Sequence, residues 1–219
     1  MNAGFNTDIF KTRLEQGASR IGQSLAPEQI DLMAGHAREL AAWNKKINLT
    51  AIREPGEMAE KHFVDAVAVQ PFLGTESRIM DMGSGGGFPA IPLKVMNPGI
   101  CFTLVDSVRK KVSFLNHVVR ILGLEDIRAV HARVEDLAKM PEHARTYDAV
   151  MSRGFAGLEA FAAYARPMLN TRGRIYALKG RQALDEITPG LENEFHIIHD
   201  HYQLPFEKSD RYLVRLSPK

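Results

Sequence analysis

The segment Asp81-Met82-Gly83-Ser84-Gly85-Gly86-Gly87-Phe88-Pro89 constrains what this chain can fold into more than any other stretch. It sets four glycines within five positions directly after the apolar run Ile79-Met80. Glycine reaches positive φ at little steric cost and lets a ligand approach the backbone, so such a loop reads as a strand-to-helix turn built around a ligand. Downstream, short apolar runs at 102–105, 127–130, 149–151 and 175–178 alternate with helical patterns such as 108–122 and 157–169. That grammar predicts an α/β fold, a mainly parallel sheet with helices on both faces. The final runs, 195–202 and 211–216, have no helix-length insert between them. A parallel crossover takes about a dozen residues, so the sheet is expected to end in an antiparallel hairpin.

Upstream of the loop, residues 1–72 read as helices. Pro27 suits a first helical turn, and Ile30, Met33, Ala37, Leu40, Ala41 and Trp43 follow near helical spacing. A second helix is expected after Pro55, carrying Met58, His62, Phe63, Ala66 and Val69. The predicted organisation is therefore a helical region, 1–72, followed by an α/β domain, 73–219. With 45% hydrophobic and 25% charged residues, the 219-residue chain has ordinary globular usage, which excludes collagen and disorder. A single cysteine, Cys101, excludes a disulfide scaffold and a multi-cysteine metal site. Because it opens an apolar strand, it is expected in the core. Residues 1–8 lack a basic and apolar leader, and no run of about 18 apolar residues occurs, so a cytoplasmic location with no membrane span is expected.

Ligands of open α/β sheets sit beyond the carboxyl ends of the strands, where the glycine loop must lie. Asp106 ends the next strand, 25 positions after Asp81, and a carboxylate there suits the two hydroxyls of a ribose. A nucleoside-bearing cofactor follows. Residues 85–90 formally fit the dinucleotide fingerprint G-x-G-x-x-(G/A). Against a pyrophosphate stand the Asp81 carboxylate and the donors that Pro89 and Pro92 remove from the helix start. An acid two positions before Gly-x-Gly-x-Gly suits a ligand carrying an ammonium and a sulfonium, which favours S-adenosylmethionine over a nicotinamide cofactor or an empty turn.

Taken together, residues 83–92, Leu104-Val105-Asp106-Ser107, Arg109-Lys110-Lys111-Val112, Arg133-Val134-Glu135, Ser152-Arg153 and Ala177-Leu178-Lys179-Gly180 resemble the RsmG family. These are bacterial 16S ribosomal RNA guanine-N7 methyltransferases, also called glucose-inhibited division protein B. Trp43-Asn44, Ile47-Asn48-Leu49-Thr50, His62 and Asp65 extend the resemblance over nearly the whole chain. Ala90 stands where the family often has Gly, and Ala66-Val67 replaces its usual Ser-Leu. The resemblance implies a Rossmann-like class I S-adenosylmethionine-dependent methyltransferase sheet behind an N-terminal helical extension. It further implies methylation of one guanine in the decoding-region loop of the small subunit. By the same resemblance Gly83, Phe88, Asp106, Val134, Glu135 and Arg153 line the cofactor site, to which the glycine loop adds Gly85 and Gly87.

Methyl transfer from a sulfonium is an in-line displacement that asks mainly for positioning. Guanine N7 has a free lone pair and no proton, so no general base is required, and no catalytic residue is assigned. The place after the fourth strand reads Ser152-Arg153-Gly154-Phe155, not the Asn/Asp-Pro-Pro-aromatic loop of exocyclic-amine methylation. Residues 109–133 carry a local charge of +4, residues 153–181 of +5, and residues 183–210 of −6, within an overall +2. On charge alone the basic segments are solvated helix faces; beside the pocket, Lys179, Arg109 and Lys110 are candidates for RNA contact. Arg153 is expected to hold either the cofactor carboxylate or an acceptor on the base. Phe155 is expected to pack in the core rather than stack on a splayed base. His62 and Asp65, at helical spacing, are expected to dock the helices onto the sheet. His196, His199 and His201 have no cysteine partner for zinc, and no metal is expected. The expected partner is 16S ribosomal RNA in the small subunit, met by a monomer. A small-molecule methyltransferase and a non-catalytic ribosome assembly factor are the rival readings.

Overall fold

The computed structural model describes residues 5–219; residues 1–4, half of the segment read above for a leader, lie outside it. Two long helices open the described chain, α1 (Thr7–Arg20) and α2 (Pro27–Trp43). The Asn6 side chain caps α1 by accepting from the Ile9 N–H, and Pro27 sits in the first turn of α2. The helix expected after Pro55 forms as α3 (Pro55–Met58), a π-helical stretch Ala59–Val64 and α4 (Asp65–Val67).

Strands and helices then alternate. The strands are β1 (Arg78–Met82), β2 (Cys101–Asp106), β3 (Ile127–His131), β4 (Tyr147–Arg153), β5 (Leu169–Gly180), β6 (Phe195–Gln203) and β7 (Asp210–Pro218). The helices between them are α5 (Ala90–Met96), α6 (Arg109–Ile121), α7 (Val134–Leu137), α8 (Leu158–Ala165) and α9 (Pro189–Glu194). Among the described residues the sheet runs β3-β2-β1-β4-β5-β7-β6. β1 to β5 pair in parallel, and β7 inserts antiparallel between β5 and β6. The strand order reverses at β1 and β4, and a crevice opens beyond the carboxyl ends of strands at such a point.

Side chains alternate across each strand, so every strand feeds two cores. Ile79, Leu104, Met151 and Leu178 face one core, which also takes Phe10, Leu14, Met33, Leu40 and Phe63 from the helices before the sheet. The expected boundary near residue 72 is thus crossed by one continuous apolar cluster. Met80, Val105, Val150 and Ala177 face the second core, packed by Leu137, Phe161 and Leu191 from α7, α8 and α9. One expectation is corrected: Cys101 is exposed. It is the first residue of β2, paired with the equally exposed Arg78 at the amino-terminal rim, where strand identity does not bring burial. No helix is long and apolar enough to cross a membrane among the described residues.

Candidate functional site

The glycine loop leaves β1 at the strand-order reversal. Gly83, Gly85 and Gly87 take φ of +74°, +54° and +89°. Gly83 and Ser84 donate from their N–H groups to the Val105 carbonyl, at 2.9 and 3.0 Å, which ties the loop to β2. A side chain at Gly83 is excluded twice, since a Cβ there would also lie 2.7 Å from the Phe155 ring. At Gly87 a Cβ would meet Ile91 at 2.4 Å, the packing of loop against α5.

The helices before the sheet grip the loop from outside. The His36 ring donates from Nε2 to the Gly86 carbonyl at 2.8 Å, which leaves its buried Nδ1 without a partner. Phe88 stacks on His36 and on His62, with ring centroids 4.9 and 4.7 Å apart. Burial holds both histidines neutral: it pushes His36 down to about 4, and burial together with the Arg153 charge pushes His62 down to about 3.

Two carboxylates frame the loop. Asp81 shares the face of Ile79, so strand alternation turns it inward; it is fully buried, and neither carboxylate oxygen has a hydrogen-bond partner. The Ser84 hydroxyl beside it donates to the Asp81 main-chain carbonyl instead, at 2.8 Å. Burial pushes the Asp81 carboxyl up to about 8. Asp106 is also buried but each of its oxygens is engaged once, accepting from Gly85 N–H at 3.0 Å and Val108 N–H at 2.8 Å, with Lys111 Nζ at 4.0 Å.

Beyond the carboxyl ends of β1 to β4 opens a cavity of about 400 Å³, lined by Gly83, Asp106, Val134, Glu135 and Phe155 among others. The structure thus brings together four of the eight residues expected at the cofactor. Gly85 reaches the same site through its bond to Asp106, whereas Gly87 and Phe88 pack behind the loop. Arg153 does not line this cavity; it donates to the Lys61 carbonyl at 3.1 Å, to Asp65 at 3.3 Å and to His62 Nδ1 at 3.0 Å. His62 then donates from Nε2 to Thr50 Oγ1 at 2.8 Å, and Asp65 accepts from the Tyr202 hydroxyl at 2.9 Å. Helix and sheet are therefore joined through Arg153 and through the Asp65–Tyr202 contact, with no bond between His62 and Asp65 themselves.

Of the residues expected at RNA, Arg109 and Lys110 are exposed on the first turn of α6, directly after the cavity. Lys179 is turned inward, donating to the Ala156 carbonyl at 2.7 Å and paired with Glu186 at 2.7 Å. Ser107 and Lys111, quoted above only within the family motifs, also line the cavity, as do Val108 and Ala132, which were not singled out in the sequence. All follow the carboxyl ends of β2 and β3, so the strand-end rule alone would have found them. Among the described residues no group of three or more His, Cys, Asp or Glu side chains is arranged for a metal ion.

An unpartnered buried carboxylate beside the loop and a second acid at the next strand end fit a ligand that carries a positive charge and a ribose. They do not fit a pyrophosphate. Sheet order, antiparallel insertion and glycine loop together make this a Rossmann-like fold of the class I S-adenosylmethionine-dependent methyltransferases. Solved structures agree on the fold: a SAM dependent methyltransferase from Aquifex aeolicus superposes with a TM-score of 0.56 at 15% identity, over 80% of this chain and 97% of that one. A protein described as a predicted O-methyltransferase from Agrobacterium tumefaciens gives 0.58 at 17% identity, over 68% and 79%.

The chain belongs to the rRNA small subunit methyltransferase G family, whose pattern it matches over residues 29–213. It is 42% identical over 209 residues to the ribosomal RNA small subunit methyltransferase G of Geotalea uraniireducens (strain Rf4), covering 93% of this chain and 94% of that protein. To the protein of the same description from Geobacter sulfurreducens it is 38% identical over 208 residues, covering 93% and 95%.

Proposed function

We propose that this chain transfers a methyl group from S-adenosylmethionine to N7 of one guanine in the decoding-region loop of 16S ribosomal RNA, acting on the small subunit in the cytoplasm. The observation that carries the reading is Asp81, a buried carboxylate with no partner two residues before the cavity-lining Gly83. A native protein rarely leaves such a group unpaired, because an uncompensated buried polar atom costs about 1–3 kcal/mol. A cationic ligand removes that cost. Family membership supplies the acceptor class, since relatives at about 40% identity are described as ribosomal RNA methyltransferases.

Each residue then has a task. Asp81 would give up its proton and hold the ligand's ammonium. Asp106 accepts the ribose hydroxyls on lone pairs that Gly85 and Val108 leave free. Val134 and Glu135 on α7 line the cavity, where they would meet the nucleobase, and Gly83, lining it too, would keep the backbone free of side-chain atoms beside the reacting group. S-adenosylmethionine, once bound, supplies a methyl carbon activated by its sulfonium. The guanine N7 lone pair needs no base, so the chain's own work is orientation and exclusion of water.

The test uses small subunits from a strain lacking the gene, purified protein and methyl-labelled S-adenosylmethionine, with the RNA digested to nucleosides and the label identified by mass spectrometry. Label in 7-methylguanosine at one site is the expected result. Label in another nucleoside keeps the methyltransferase and overturns the N7 acceptor. Cofactor binding without label transfers the case to a small-molecule acceptor or a non-catalytic assembly factor.

A further inference from the structure

We propose that Phe155 is the surface on which the acceptor base stacks, and that Lys179 and Glu186 are positioning residues that hold it in place. The proposal deepens the function given above and rests on it. The segment between β4 and α8 is pinned at both ends. At its start the Ser152 hydroxyl donates to the Met82 carbonyl at 2.7 Å, and Gly154 turns the chain with φ of +66°. At its close Lys179 donates to the Ala156 carbonyl, while Glu186 accepts from the Leu158 N–H at 2.6 Å. Gly157, at the N-cap of α8, has no side chain to do this, so Glu186 caps the helix from 28 residues away.

Lys179 and Glu186 therefore form one clamp, paired at 2.7 Å, with the lysine side chain only 13% exposed. A lysine so placed is spent inside the protein and is not presented to a phosphate. What the clamp presents is Phe155. The ring lies against Gly83, close enough to forbid a Cβ there, and packs edge-on to Phe161 and Tyr164 at centroid distances of 6.4 and 6.3 Å. Its remaining surface lines the cavity together with Gly83 and Gly154. An aromatic side chain at the wall of a nucleoside site, backed by main chain and half-buried, has the form of a stacking platform. Single-stranded RNA bases are commonly received in that way, and a stacked purine is held flat while its edge is aligned for in-line attack.

The experiment measures kcat and KM on small subunits, cofactor affinity by calorimetry, melting temperature, and the salt dependence of RNA binding. The proteins are wild type, Phe155→Leu, Phe155→Tyr, Lys179→Met, Glu186→Ala and the Lys179→Met/Glu186→Ala double variant. Phe155→Leu is expected to lower kcat/KM about tenfold or more, a loss exceeding whatever fall in cofactor affinity its place on the cavity wall brings, and Phe155→Tyr to recover most of that excess. The two clamp variants should each lower kcat/KM, the double variant being no worse than the poorer single one, because both act through one loop. Neither should alter the slope of log affinity against log salt. If Lys179→Met reduces that slope by about one and leaves kcat alone, Lys179 is a phosphate contact and the clamp is overturned. A Phe155→Leu protein as active as wild type overturns the platform. A wild type that methylates no RNA sinks the proposed function and the platform with it, an outcome distinct from an active wild type with indifferent variants.

Discussion

Asp81 and Asp106 stand at the carboxyl ends of neighbouring parallel strands, both buried, yet their states are opposite. Asp106 spends its charge on the protein, accepting two backbone N–H groups that fix the glycine loop and the turn into α6. Neither Asp81 oxygen makes a hydrogen bond of good geometry, and burial raises its carboxyl to about 8, outweighing Ser84, the Ala90 backbone and the Arg153 charge, which favour the carboxylate from nearby. One acid is thus part of the scaffold before any ligand arrives, and the other, in the function proposed above, is left for the ligand to complete. The same residue type at the same kind of position serves both roles because hydrogen bonding and desolvation, not identity, set the state of a carboxyl group.

The sharpest way to break this comparison is Asp81→Asn. Removing the charge proposed to hold the ligand's ammonium is expected to cost about 2–3 kcal/mol, on the order of 100-fold in S-adenosylmethionine affinity by calorimetry. The melting temperature of the free protein should hold or rise, because burial of that carboxyl outweighs the weak favourable contacts from Ser84 and the Ala90 backbone. A fall in melting temperature with unchanged affinity would reverse the roles assigned to the two acids.

The pH dependence is the next largest effect. Unfolded, the Asp81 carboxyl titrates near 3.8, and folded at about 8, so between these values the folded state carries a proton that the unfolded state lacks. Its contribution to stability is complete below the lower value and is lost as pH rises through the upper one. In the proposed role of Asp81, cofactor binding runs the other way, since it needs the carboxylate. Affinity should rise by nearly tenfold per pH unit up to about 8, with release of one proton, and Asp81→Asn should abolish both trends. Isothermal titration in buffers of different ionisation enthalpy reads the proton directly.

Asp106→Asn should show the opposite pairing of effects. An amide can accept from only one of the two N–H groups and sets its own N–H₂ against the other. The free protein should lose about 1–2 kcal/mol of stability, and cofactor affinity should fall about tenfold through the lost ribose contact. Thermal unfolding with and without ligand separates the two losses.

What the sequence discloses and what it hides follow the same line. All seven strands, the antiparallel hairpin and the long helices are readable because apolar periodicity is a local property. The glycine loop is readable because positive φ demands a residue type. Partners are not local. Arg153 meets His62 and Asp65 across about 90 residues of chain, and nothing in their spacing says that the arginine, not a direct bond, joins them. Lys179 reads as a rim cation until Glu186, seven positions on, is seen to neutralise it. Cys101 shows the limit of composition: a cysteine in an apolar strand is still exposed when it is the strand's first residue.

The smallest effect tests the exposed side of the same turn. Val108 N–H is tied to Asp106, and the next two residues, Arg109 and Lys110, stand free in solvent on the first turn of α6. Neither makes a hydrogen bond or ion pair that orders the cavity, so Arg109→Ala and Lys110→Ala should leave cofactor affinity and melting temperature where they were. Two cations at a helix N-terminus gain nothing from the helix dipole, which favours negative charge there, so their placement beside the cavity is better explained by an anionic partner than by helix stability. Each substitution should then weaken RNA binding by about two- to threefold near physiological salt and reduce the salt slope by about one, equally for all sequences. Filter binding across a salt series reads both. Slopes identical to wild type would move the RNA away from α6, and the comparison would then rest on the two carboxylates alone.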